Sequence, residues 1–99
     1  MGQEFEFDPA KSAANSGKHQ IDFLDAQELW TVPAYDQPSP FVRESRRLRT
    51  GKLADLIWTA VYTLRGERVR LISVRRARTE EVATYEREYS TGTRTDQEP

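Results

Sequence analysis

The stretch IWTAVYT at residues 57–63 is followed by LRGE at residues 64–67 and VRLISV at residues 69–74. Both flanking runs are rich in β-branched and aromatic side chains, the residue types that favour strands. The short connection between them contains Gly66 and predicts a hairpin. The preceding run RRLRTGKL at residues 46–53 predicts one more strand, which turns at or after Gly51. This half of the chain is therefore predicted to be an antiparallel meander.

The segment before the meander predicts a strand and two helices. Phe5-Glu6-Phe7 alternates like a short strand. Asp8 followed by Pro9 is typical of a helix start, because aspartate caps the first turn and proline fits its first position. We expect this helix to end near Ser16-Gly17, where glycine supplies a C-terminal cap. Residues 24–30 predict a second, shorter helix from their helical spacing of apolar side chains.

The remaining segments connect and close the domain. Residues 31–42 contain three prolines and predict a loop, with a short strand around residues 31–35. Thr79 is the expected N-cap of a third helix, and the two glutamates after it favour the positive end of the helix dipole. Residues 90–99 have no apolar side chain and are predicted to be a disordered polar tail.

These elements predict an α+β fold. We expect a two-layer domain with an N-terminal strand and two helices, a three- to four-stranded antiparallel meander, and a closing C-terminal helix, the helices lying on one side of the sheet. Residues 1–89 are the single predicted domain. No run approaches the ~20 apolar residues of a membrane-spanning helix, and the acidic N-terminus differs from a signal peptide. The cytoplasm is the expected compartment.

Charge is segregated along the sequence. Residues 1–40 carry a net charge of −5, residues 41–78 carry +8 and residues 79–99 carry −4. Ten of the eleven central bases are arginine, whose guanidinium suits bidentate phosphate contacts. The central segment is interpreted either as a polyanion-binding surface or as a solvated sheet face paired with the acidic ends.

Metal and cofactor chemistry is not expected from this composition. The chain has no cysteine, its one histidine is His19, and its five glycines are isolated rather than grouped in a phosphate-binding loop. Strand alternation predicts that Arg68, Arg70 and Arg76 share a sheet face and that Arg75 points the other way. Trp58 or Tyr62 near these arginines would suit base stacking, although Trp58 is interpreted rather as a core residue.

Several blocks of the sequence carry a resemblance to a known family: FEFDPAK at 5–11, Asn15, Lys18-His19, Ile21, Phe23, Ala26, Arg46, Gly51, VYTLRG at 61–66, RLISVRRA at 70–77, Glu81 and Tyr85-Glu86. Over roughly residues 5–86 they resemble the BrnT family of ribonuclease toxins from type II toxin–antitoxin systems. The sequence departs from the family pattern in three places. Gln20 replaces a glycine, and residues 37–42 are idiosyncratic. The turn at residues 54–57 lacks a glycine and is one residue short, which predicts a tight or distorted hairpin.

The resemblance implies a RelE-like fold and a metal-independent endoribonuclease without cofactors. It also implies a BrnA-like ribbon-helix-helix antitoxin as partner, in a complex with two copies of each protein. RNA would be the substrate, and DNA would be reached only through the antitoxin. One of Arg75 and Arg76 is expected to act in catalysis and the other to pair with Glu80, Glu81 or Glu86. The expected catalytic residues are Lys18, His19, Arg75 and Arg76, and the expected RNA-binding residues are Arg46, Arg65, Arg68 and Arg70.

Two other functions stay open on the sequence alone. The chain could be an inactive relative that binds an antitoxin or RNA without cleaving it. A small DNA-binding regulator is a weaker possibility, because no helix is basic along one face.

Overall fold

A computed structural model describes the protein over residues 2–39 and 45–90, the side chain of Ser90 excepted. It has an α+β architecture, as predicted. The predicted tail lies outside the described residues, apart from the backbone of Ser90. None of the helices within the described ranges is long and apolar enough to cross a membrane. The elements are β1 (Glu4–Glu6), α1 (Pro9–His19), α2 (Phe23–Ala26) with a 3₁₀ turn (Gln27–Trp30), β2 (Ala34–Pro38), β3 (Arg47–Leu53), β4 (Leu56–Arg65), β5 (Arg68–Arg76), and α3 (Thr79–Tyr85) with a π-helical turn (Glu86–Ser90).

The five strands form one mixed sheet in the order β1-β5-β4-β3-β2. Strands β2 to β5 are an antiparallel meander, which confirms the prediction of three to four such strands. The N-terminal strand β1 adds to the edge of β5 in the parallel direction, through residues 4–6 and 68–70. The strand expected around residues 31–35 is β2, which begins later.

The β3–β4 hairpin has a two-residue turn, because Leu53 pairs directly with Leu56. Its central residues, Ala54 and Asp55, have φ angles of 49° and 70°. Positive φ at both positions is typical of the type I′ turn, which normally recruits asparagine and glycine. The prediction of a tight or distorted hairpin without its usual glycine is confirmed.

Helix α1 begins as predicted and ends later than predicted. The Asp8 carboxylate accepts a hydrogen bond from the Ala10 N–H at 2.9 Å, and Pro9 occupies the first turn. Gly17 does not end the helix. The cap is Gln20, which has a φ of 67° and donates its backbone N–H to Ser16 O. Gln20 therefore stands at a left-handed position where glycine is the usual residue.

The main core lies between one sheet face, called here the core face, and α2 with its 3₁₀ turn. Phe23 and Leu29 are fully buried there. Trp30 packs edge-on against Phe5 and Tyr62, with ring centroids 5.3 and 5.1 Å apart. The sheet contributes six buried side chains to this core: Trp58, Ala60, Tyr62, Val69, Leu71 and Val74.

Helix α3 packs on the opposite face of the sheet, so the expectation that the helices share one side is wrong. Its buried Glu81 contacts Thr59 of β4, and its Tyr85 is also buried. Its N-cap is Arg78, not Thr79. The reason is a local capping interaction: the Glu81 carboxylate, three residues along the chain, accepts the Arg78 N–H at 2.8 Å.

Candidate nucleic-acid interface

A bulge in the pairing of β4 with β5 decides which arginines share a face. Tyr62 pairs with Leu71, but the preceding residue, Val61, pairs with Ser73. Ile72 is therefore left without a partner in the ladder. One extra residue reverses the alternation of side chains for everything beyond it.

The bulge places Arg75 on the same face as Arg68 and Arg70, and Arg76 on the core face. The predicted grouping of Arg76 with Arg68 and Arg70 is wrong, because simple alternation takes no account of the bulge. We call the face that carries Arg68, Arg70 and Arg75 the cationic face. Helix α3 covers one end of it.

A cavity of about 410 Å³ lies on the cationic face, against α3. Three arginines, Arg46, Arg75 and Arg78, line it together with two carboxylates, Glu80 and Glu81. Three arginines and two carboxylates give the lining a formal charge of +1, which favours the binding of anions. The rest of the lining comes from the sheet and the segments next to it: Gln37, Ser39, Leu48 and Val61.

Arg75 and Glu81 form a two-pronged ion pair at the edge of this cavity. Nη1 and Nη2 of Arg75 donate to Oε1 and Oε2 of Glu81 at 2.8 and 3.0 Å. The side chains are 18% and 5% exposed, so the carboxylate is almost fully desolvated. The expected pairing of one of the two adjacent arginines with a neighbouring glutamate is thus observed for Arg75, and the expected catalytic role of the other arginine stays a prediction.

A chain of buried hydroxyls fixes Glu81 from the other side. Thr59 donates to its carboxylate at 2.9 Å, and the Thr50 and Thr59 hydroxyls are 2.7 Å apart. Burial alone would raise the pKa of Glu81, but hydrogen bonds from Arg75, the Arg78 N–H and Thr59 lower that pKa to about 2. The carboxylate is therefore ionised throughout the physiological range.

The other arginines of the cationic face lie beside acidic residues of β1. Glu6 is 3.0 Å from Arg70 and 3.7 Å from both Arg65 and Arg68. Glu4 is 3.4 Å from Arg68. These arginines are between about one third and three fifths exposed, at 36–58%. They combine a structural pairing with β1 and a surface open to solvent.

Lys18 and His19 line a separate groove of about 210 Å³ at the β5 edge, which also includes Ser73. Asn15 holds α1 against this edge where the pairing with β1 has ended. Its amide donates to Val74 O at 2.9 Å and accepts the Val74 N–H at 3.3 Å. One side chain thus satisfies both backbone groups of a strand residue, as a neighbouring strand would.

A family model described as "Ribonuclease toxin, BrnT, of type II toxin-antitoxin system" matches residues 7–81, which is more than half of the chain. The chain belongs to the BrnT family. This confirms the resemblance seen in the sequence and assigns the chain to a class of ribonuclease toxins. The search of curated proteins finds no significant match.

In this BrnT chain the eight predicted site residues lie at four places. Arg46 and Arg75 meet at the cavity, while Lys18 and His19 share the groove at the β5 edge. Arg76 is the one member on the core face. The remaining three lie together beside β1 on the cationic face: Arg65, Arg68 and Arg70.

Trp58 and Tyr62, the two aromatic residues considered for base stacking, are on the core face and not on the cationic face. Trp58 is 8% exposed and packs in the core, as predicted, with the Arg76 guanidinium 5.6 Å from its ring centroid. Tyr62 is also buried, and its hydroxyl donates to Asp36 at 3.0 Å. Burial and the nearby Asp36 carboxylate raise the pKa of Tyr62. Base stacking on Trp58 or Tyr62 is therefore not available beside the cationic face.

Two residues that build this site were absent from the predicted site residues: Arg78, which lines the cavity, and Thr59, which donates to Glu81. Arg78 belongs to the arginine-rich segment, but its place beside the cavity depends on where α3 begins. Thr59 is in a β-branched strand and gives no sequence signal of its role. The signal that did exist is the spacing between Arg78 and Glu81, three residues apart at a helix start, which is the spacing of a capping interaction.

Proposed function

We propose that this BrnT toxin is a metal-independent endoribonuclease that inhibits translation and growth, with its catalytic surface on the cationic face. The observation that carries the proposal is the cavity in which Arg46, Arg75 and Arg78 converge. Guanidinium groups at a concave site stabilise the charge that develops on a phosphodiester during cleavage. The family assignment gives RNA as the class of substrate.

The proposed reaction uses the ribose 2′-hydroxyl as nucleophile. The 2′-oxygen bonds to the adjacent phosphorus and the bond from phosphorus to the 5′-oxygen breaks. A base takes the 2′ proton and an acid protonates the 5′-oxygen, which leaves a 2′,3′-cyclic phosphate and a 5′-hydroxyl. The composition favours this route in one respect, since one histidine and no cysteine cannot supply the nitrogen and sulfur ligands of a typical zinc site.

We propose that the RNA strand crosses β5 between the cavity and the groove at the β5 edge. Val61 lines the cavity and Ser73 lines the groove, and these two residues are direct partners in the β4–β5 ladder. Such partners have Cβ atoms about 4.5–5.5 Å apart. A phosphate at Arg75 and a ribose near His19 are then neighbouring parts of one strand.

The proposed roles follow this path. His19, the one histidine of the chain, exchanges one of the two protons. Lys18 beside it exchanges the other. Arg75 and Arg46 stabilise the phosphorane-like transition state. The more distant contacts to the RNA backbone come from the exposed arginines next to β1: Arg65, Arg68 and Arg70.

The proposed partner is a BrnA-like ribbon-helix-helix antitoxin, in a complex of two toxins and two antitoxins in the cytoplasm. DNA binding would then belong to the antitoxin. Co-expression with the adjacent gene, followed by size exclusion with light scattering, is expected to give one complex of that stoichiometry. Two separate monomer peaks would contradict this part of the proposal.

The decisive experiment is a cleavage assay with purified protein and excess chelator. RNA is expected to be cut and DNA of the same sequence to be spared, because DNA lacks the 2′-hydroxyl. One 2′-deoxy substitution at a mapped site should block that cut and leave the others. Arg75→Ala should slow cleavage by about 10²–10³, whereas Arg87→Ala, on the exposed π-helical turn, is the matched arginine control. Cleavage of the deoxy-substituted site would refute the mechanism.

A further inference from the structure

The five N–H donors of Arg75 are divided between the protein and the cavity. Nη1 donates to Glu81 Oε1 and to Arg76 O, at 2.8 and 3.2 Å, and Nη2 donates to Glu81 Oε2 at 3.0 Å. The Nε–H and the second Nη2–H have no acceptor among the described residues. These two bonds lie parallel along one edge of the guanidinium plane.

A parallel pair of N–H donors is the geometry in which arginine binds a phosphate through two oxygens. Arg75 lines the cavity at which the proposed substrate is bound, and this edge is the part of its guanidinium that the described residues leave without an acceptor. A flexible arginine would have to order several side-chain torsions on binding, which costs entropy. The contacts with Glu81 already order the side chain of Arg75 before any substrate is bound.

Glu81, which anchors Arg75, is itself held by several hydrogen bonds. The Glu81 carboxylate accepts from Thr59 at 2.9 Å and from the Arg78 N–H at 2.8 Å, in addition to the two Arg75 bonds. These donors come from β4, the start of α3 and β5. The carboxylate has no freedom to rotate without breaking several of these hydrogen bonds at once.

We infer that Glu81 is a positioning residue, which holds Arg75 so that its Nε–Nη2 edge faces the scissile phosphodiester. This inference rests on the proposed function and adds a role for a buried carboxylate that does not touch RNA. It predicts a distinctive separation of effects. Removing the Glu81 charge leaves Arg75 positive and removes a nearby negative charge, so RNA affinity should hold while the rate of cleavage falls.

The first test is a double-mutant cycle of Glu81→Gln and Arg75→Ala, with single-turnover cleavage measured at saturating RNA. We expect Glu81→Gln to slow cleavage about 10–100-fold, and the double variant to match Arg75→Ala within about threefold. Affinity for the 2′-deoxy-substituted RNA, by fluorescence anisotropy, should stay within about twofold of wild type. Glu86→Gln, an exposed glutamate beyond α3, is the matched control.

Two outcomes overturn the inference. Rate effects that multiply in the double variant would mean that Glu81 acts independently of Arg75. Parallel losses of rate and affinity would mean that the substitution only disrupts the fold. Should Glu81→Gln not fold, Thr59→Val removes one anchoring donor alone. It should slow cleavage about 3–10-fold, with Thr59→Ser restoring the rate; an undiminished rate in Thr59→Val would overturn the inference.

A readout independent of cleavage separates this inference from the proposed function. The Arg75 Nε–H signal in ¹⁵N NMR should be sharp in the wild type and shift on adding the 2′-deoxy-substituted RNA. In Thr59→Val it should broaden, because the guanidinium is less restrained. A wild-type protein that shows this shift but cleaves no RNA would refute the catalytic proposal and leave the positioning role standing. An Nε–H signal that ignores the oligonucleotide would refute the positioning role.

Discussion

The substitution Glu81→Gln is expected to lower stability by an amount that shrinks as the pH falls. Burial works against ionisation of Glu81, yet its hydrogen bonds bring the pKa from the usual 4.5 to about 2. Because the folded-state pKa is the lower one, the contribution to stability is fully present above pH 4.5. It is lost as the pH falls from 4.5 towards 2. At about 1.4 kcal/mol per pH unit, this displacement corresponds to about 3 kcal/mol.

The linkage relation gives the expected size at an accessible pH. At pH 3, about 2 of the 3 kcal/mol should be gone. Glutamine does not titrate, so the difference in unfolding free energy between wild type and Glu81→Gln should narrow by about 2 kcal/mol from pH 6 to pH 3. Urea unfolding followed by tryptophan fluorescence measures this, since Trp30 and Trp58 both pack in the core.

The control is Glu86→Gln, whose unfolding free energy should differ from that of the wild type by the same amount at both pH values. A narrowing below about 0.5 kcal/mol for Glu81→Gln would refute the account of the buried carboxylate. If the variant is unfolded already at pH 6, the ¹³C signal of the wild-type Glu81 carboxyl serves instead. A titration midpoint at pH 4 or above would then contradict it.

Two further substitutions test the frame around the β5 edge. Gln20→Gly should raise the unfolding free energy by about 0.5–1 kcal/mol, because glycine adopts the left-handed backbone conformation without strain. The matched control Gln27→Gly, at a position where φ is −61°, should lower the unfolding free energy. A loss of stability in Gln20→Gly would contradict the backbone argument. Asn15→Ala should cost about 2–4 kcal/mol in urea unfolding, since it leaves three buried backbone groups without their side-chain partner. Ser16→Ala, on the exposed side of the same helix, should change little, and equal effects of the two would refute the role of the amide.

The elements set by local patterns were predictable from the sequence. The strands of the meander follow from β-branched and aromatic runs, and the start of α1 follows from Asp8 and Pro9. Element boundaries that depend on contacts with distant residues were less predictable from the sequence. Helix α1 continues through Gly17, because a glycine does not by itself end a helix, and its C-cap is Gln20. No local sequence pattern predicts the parallel pairing of β1 or the sheet face on which α3 packs.

The candidate site shows the same division. The arginine content of residues 41–78 and the pairing of one arginine with a glutamate could be predicted. The face on which each arginine lies could not, because it depends on the unpaired residue Ile72 opposite β4. That bulge moves Arg75 to the cavity and Arg76 to Trp58. The position of Thr59 behind Glu81 depends in turn on α3 docking on that face.

The parallel pairing of β1 with β5 has a consequence for the order of folding. Glu4 and Arg68 meet across 64 positions of the chain, whereas β3, β4 and β5 follow one another through two-residue turns. The entropy of closing a long loop makes the meander the earlier event and β1 the later addition. Before β1 docks, Arg68 and Arg70 of β5 lack their carboxylate neighbours. A chain with a formed meander and an undocked β1 therefore attracts polyanions more strongly than the finished domain does, and the docking of β1 lowers that attraction.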